Sequence, residues 1–134
     1  MIQKQLHDKL TPEILRNLMP SSRSDEFFEA LYGDAAEGAF DISIVYKGYS
    51  AEEHKLTFEL ELRERPGKCL ACNLTYGLPQ VLKVHPVINL KGFVENLNRI
   101  VGDLGVCSSW SLAKTRPINN SLHTIPLVVT FEPA

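Results

Sequence analysis

Apolar residues recur along this chain with two periods, and the change between them divides it. Ile14, Leu15, Leu18 and Met19 fall at helical spacing behind a start signal, Thr11-Pro12-Glu13. Threonine supplies the N-cap, proline fits the first helical position, and the acid lies near the positive helix end. Pro20 stops the run. Ser24, followed by Asp25 and Glu26, reads as the cap of a second short helix carrying Phe27, Phe28, Leu31 and Tyr32, with Gly33 at its C-terminal end. Residues 34–39 are small and acidic, a linker.

From Phe40 the period is two. Phe40, Ile42, Ile44 and Tyr46 alternate with Asp41, Ser43, Val45 and Lys47. A loop over Gly48 to Glu53 leads to Leu56, Phe58, Leu60 and Leu62, interleaved with Lys55, Thr57, Glu59, Glu61 and Arg63. One face of this segment is wholly apolar and the other wholly polar, as in an antiparallel sheet with one wet side. Pro66-Gly67 suits the centre of a type II turn, because proline presets φ and glycine accepts the positive φ that follows. A third strand is predicted beyond it, with Leu70, Cys72, Leu74 and Tyr76 inward, and Val81 to Val84 read as a short extended piece.

The longest helical pattern starts at an Asn89 cap. Leu90, Phe93, Val94, Leu97, Ile100, Val101 and Leu104 form one continuous stripe, ended by Gly102 or Gly105. That stripe needs an apolar partner, which the first three strands are expected to provide. A second hairpin closes the chain, with Trp110 and Leu112 inward in one strand and Ile125, Leu127, Val129 and Phe131 inward in the other. The connection from Lys114 to His123 is rich in Asn and Ser. Pro126 cannot donate to a ladder, which places the last strand at an edge. The predicted class is α+β, order α-α-βββ-α-ββ, with helices packed on one face of an antiparallel sheet. It is read as a single domain over residues 1–134, a helical segment at 1–33 leading to the sheet and main helix at 40–132.

Length and charge narrow the function. A chain of 134 residues buries roughly 65–70% of its unfolded surface and folds without disulfides or metal. The net charge of −2 is uneven: residues 1–68 carry 9 basic and 13 acidic side chains, residues 69–134 carry 5 and 3. Neither half has the basic stripe that phosphate backbones require, so no nucleic-acid partner is expected. No segment has the apolar length of a signal peptide or a membrane span, and three cysteines fit a secreted disulfide framework poorly. These features predict a cytoplasmic protein with no membrane association.

Cys69-Leu-Ala-Cys72 is the one motif that could carry chemistry. A zinc site would need further ligands, and the candidates are His85 and Cys107. A c-type haem attachment would need histidine where Asn73 stands. If residues 69–72 are extended, the two cysteines point to opposite faces with α-carbons about 10 Å apart, beyond the roughly 7 Å a disulfide allows. A turn there would instead let both sulfurs reach one ion. The principal expectation is therefore no cofactor, Cys72 being a buried apolar residue, with zinc binding or thiol redox chemistry as the alternative. A nucleophilic pair could be drawn from Cys107 with His85 or His123. His54 and His123 read as boundary residues, and His7 as terminal.

No phosphate-binding, dinucleotide-binding, nucleophile-elbow or H-E-x-x-H motif occurs. The leading expectation is a non-enzymatic domain that binds a small ligand or a protein partner. Its pocket would lie between the main helix and the loop from Gly77 to Asn89, near Tyr76, His85 and Asn89. A homo-oligomer is also expected, from the edge position given to Pro126 and from Val45 and Val128 on polar faces.

Overall fold

The computed structural model describes residues 2–20, 22–33, 40–67, 78–85 and 88–133. The elements run α1 (Ile2–Lys9), α2 (Pro12–Leu18), α3 (Ser22–Tyr32), β1 (Phe40–Ser50), β2 (Lys55–Glu64), α4 (Leu78–Val84) and α5 (Leu90–Val101). A 3-10 turn (Gly102–Leu104) then leads into β3 (Gly105–Leu112), β4 (Arg116–Asn119) and β5 (Leu122–Pro133). The five strands form one antiparallel sheet in the order β1-β2-β5-β3, with β4 continuing along β5 beyond the end of β3. Helices pack against one face of the sheet, so the α+β class holds.

The alternation in β2 fixes that face. Leu56, Phe58, Leu60 and Leu62 are fully buried, and the register sets the first three opposite Val129, Leu127 and Ile125 of β5. Phe93 of α5 meets Phe58 edge-on at 5.7 Å. Helix α5 packs against β3 as well as over β2, whereas its stripe alone pointed to the first strands. Helices α1, α2 and α3 cover β1. One buried cluster joins them all, from Leu6 through Phe27 and Phe93 to Phe131.

The helix starts follow local chemistry. The Thr11 hydroxyl accepts the Ile14 N–H at 3.3 Å, and Pro12 occupies the first turn of α2. Asn89 adopts the left-handed conformation (φ 52°) and its Oδ1 accepts the Gly92 N–H at 3.1 Å. Gly92 is tolerated in the first turn because a β-carbon there would collide with the capping side chain.

Several expectations are corrected. Residues 81–84 are helical, not extended: Pro79 lies in the first turn of α4, where its missing N–H costs no hydrogen bond. Ser24 is not a cap. Helix α3 begins at Ser22, and the Ser24 hydroxyl is buried against β1, accepting the Ile42 N–H at 2.8 Å. Residues 2–9 form a helix that anchors Leu6 in the core. The long connection after β3 contains β4. The predicted third strand, Leu70 to Tyr76, lies outside the described residues.

The largest correction concerns Pro126, which belongs to a central strand. The Phe131 N–H donates to the His54 carbonyl at 2.8 Å, so odd-numbered residues of β5 turn their backbone groups toward β2 and even-numbered ones away. The Pro126 carbonyl accordingly accepts the Ala113 N–H at 2.9 Å on the other side. Its nitrogen faces residues 113–115, where β3 breaks before β4, so the missing donor interrupts a ladder that is already interrupted. The edge position that supported a homo-oligomer is thereby removed. Val45 and Val128 are each half-buried.

Among the described residues the sheet edges are β1 and the β3/β4 line, and a helix side chain caps each near the start of its strand. In β1, Ser24 takes the outward backbone of Ile42. In β3, Asn98 of α5 takes that of Cys107, its Oδ1 accepting the N–H at 2.6 Å and its Nδ2 donating to the carbonyl at 3.0 Å. Such capping denies another strand its template. Among the described residues no helix is long and apolar enough to cross a membrane.

Candidate functional site

A cleft of about 570 Å³ opens where α5, the end of α4 and β3 converge. Its first wall is the face of α5 that carries Lys91, Val94, Glu95 and Asn98, residues one helical turn apart. The second is formed by Lys83, His85 and Asn89, where α4 gives way to α5. That junction is held by two backbone bonds, His85 N–H to the Val81 carbonyl at 3.0 Å and Asn89 N–H to the His85 carbonyl at 2.9 Å. Arg23 of α3 braces it from behind by donating to the Ile88 carbonyl at 3.0 Å. The third wall is β3, which contributes Cys107, Ser108 and Trp110 around a register shift between Cys107 and Trp110. Asn98 ties that irregular stretch to α5, so two of the three walls are locked together by a pair of hydrogen bonds.

Three residues singled out in the sequence come together here. His85 is half-buried, its ring edge-on to Phe27 at 4.8 Å between centroids. Asn89 is exposed at the rim, with Oδ1 engaged in capping α5. Cys107 is buried in the β3 wall, and burial pushes its thiol from 9.0 up to about 11. The free thiol is therefore protonated at neutral pH. His123, the other partner considered for it, pairs with Leu62 and Pro117 near the opposite end of β5.

Tyr76, Cys69 and Cys72 lie outside the described residues. Among the described residues, no three His, Cys, Asp or Glu side chains group so as to hold a metal ion. Periodicity had not marked Lys83, Lys91, Asn98 or Trp110 for this site. Trp110, inward by its period, packs against the core while also lining the cleft.

A smaller depression of about 350 Å³ lies between α1 and β1, lined by Gln3, His7, Tyr46 and Tyr49 among others. The bulge at Lys47 puts both tyrosines on the core side of β1, Tyr46 packing on Phe58 and Tyr49 on Phe131. Burial, and secondarily Tyr49, pushes the Tyr46 hydroxyl from 10.0 up to about 12.

On the exposed sheet face, Lys47 pairs with Glu59 at 3.5 Å and Arg63 with Glu61 at 3.1 Å. Arg65 holds Asp25 at 2.8 Å and Asp41 at 3.0 Å, and its guanidinium lies over the Phe28 ring. The Arg65 contacts fasten α3 to β1. No family model matches the chain, and neither a curated protein nor a solved structure matches it.

Proposed function

We propose that this chain is a soluble, cytoplasmic, non-enzymatic domain that binds a small organic molecule in the cleft between α5, the end of α4 and β3. The observation that carries the proposal is the composition of those walls. The half-buried Trp110 supplies apolar surface, backed by the buried Leu90 and Val94, while Asn98, Ser108 and the two lysines supply polar groups at the margin. A concave site of this size, mostly apolar with a few convergent polar groups, is the usual form of a small-molecule site. The hydrogen bonds from Asn98 to Cys107 preform it, so little ordering entropy is lost when a ligand enters.

Trp110 is the sole tryptophan and lines this cleft, so its fluorescence reports on occupancy. The test is a fragment screen read by Trp110 emission, repeated on Ser108→Phe, which places a ring at the mouth without disturbing a described hydrogen bond. Fragments that change the emission of the native chain and lose binding in Ser108→Phe support the proposal. A library with no such fragments, or fragments that bind the variant equally well, contradicts it.

A further inference from the structure

We infer that the ligand of this cleft is an anion with an apolar body, a carboxylate, phosphate or sulfonate joined to an aromatic or aliphatic group. The inference rests on the cleft being a ligand site, as proposed above, and adds the sign of the ligand's charge. Lys83, from the last turn of α4, and Lys91, from the first turn of α5, both line the cleft and are exposed. Neither has a carboxylate within ion-pair distance among the described residues. Glu95 is the one acid among the described lining residues, and although it stands one turn after Lys91, the two are not paired.

The position of Lys91 adds a second reason. The N-terminal end of a helix carries a partial positive charge from its unpaired N–H groups, which favours acids in the first turn and disfavours cations. Helix α5 has no acid in its first turn and has Lys91 there instead. Two lysines and a twelve-residue helix end therefore converge on one rim with a single carboxylate among the described residues to oppose them, in a chain whose net charge is −2. A positive potential held at the mouth of an apolar cleft attracts an anion and lowers the cost of desolvating it. Beneath that rim, the half-buried Trp110, backed by the buried Leu90 and Val94, offers its ring to an apolar body.

The test compares two dyes of nearly the same shape, 1-anilinonaphthalene-8-sulfonate and the uncharged N-phenyl-1-naphthylamine. Each is titrated into the full chain while energy transfer from Trp110 is followed. The sulfonate is expected to bind about tenfold or more tightly than the neutral dye, and to weaken selectively as salt is raised. Lys83→Gln/Lys91→Gln is expected to abolish that preference while leaving the neutral dye's affinity unchanged. Each single variant should remove part of the preference, and melting curves establish that all three fold.

Equal affinity for the two dyes, or a preference that survives in the double variant, overturns the anion inference and leaves the cleft as a site. If neither dye exchanges energy with Trp110, the cleft proposal and the anion inference fall together.

Discussion

Asn98 and Ser24 each do with a side chain what a neighbouring strand would do with its backbone. Ser24 is fully buried and its hydroxyl holds Ile42; Asn98 reaches from α5 to both backbone groups of Cys107. Removing either side chain leaves a strand N–H without its partner, which costs about 1–3 kcal/mol. Ser24→Ala and Asn98→Ala should each lower the urea midpoint by that measure. The two sites lie at opposite edges of the sheet and share no partner, so the double variant should show the sum. A much larger combined loss would mean that the edges are coupled.

Cys107 and Tyr46 govern behaviour in alkali. Both groups have folded values raised above their ordinary ones, to about 11 and about 12, chiefly by burial. The folded chain thus keeps protons that the unfolded chain has already released. Stability is accordingly unaffected below pH 9.0 and falls as pH rises through about 11 for the thiol, and from 10.0 through about 12 for the phenol. Denaturant titrations across this range should show the decline, and Tyr46→Phe should flatten its upper part. A stability that rises from pH 9 to 11 would contradict the burial of both groups.

Helix α5 is the element that joins the core to the cleft. Leu90, Phe93, Val94, Leu97 and Val101 are buried along it, and the side chains at 91, 94, 95 and 98 face the cleft. Phe93→Ala should cost about 3–5 kcal/mol, since the ring is buried against Phe58 and the sheet cannot close on the space left behind. Thermal melting of that variant measures it, and an unchanged midpoint would put the helix elsewhere.

Elements with a strict period could be read before folding. The alternation from Lys55 to Arg63 and the stripe from Leu90 to Val101 recur as written, because each buries one face against one layer. Other elements answer to tertiary context. Proline constrains one side of a strand, and which neighbour stands on that side of Pro126 is decided by the break between β3 and β4. Helix α1 has only Ile2 and Leu6 as apolar anchors in a polar run, too few to mark a face. Ser24 has the residue type of a cap, but two further helical residues precede it. His85 and Asn89 drew notice as loop residues beside a helix start, whereas Lys83, Lys91 and Trp110 meet only because α4, α5 and β3 converge.

That convergence makes the proposed ligand site a property of the assembled chain. Three segments separated in sequence build the cleft, and the Asn98 link to Cys107 keeps two of them in place. Unfolding any one wall should therefore abolish binding together with structure, and binding should in turn raise the melting temperature with ligand concentration. The opposite face of the sheet is laid out differently. Glu59 and Glu61 lie along it, paired with Lys47 and Arg63, and no pocket among those described involves its centre.

The most direct measurement is a map of backbone amide shifts in a labelled full-length chain during titration with 1-anilinonaphthalene-8-sulfonate. The largest changes are predicted at His85, Lys91, Asn98 and Cys107 and at the Trp110 indole, with the exposed sheet face around Thr57 and Val128 unmoved. Changes centred on that sheet face, or none at saturating dye, would contradict the cleft as the site this fold presents.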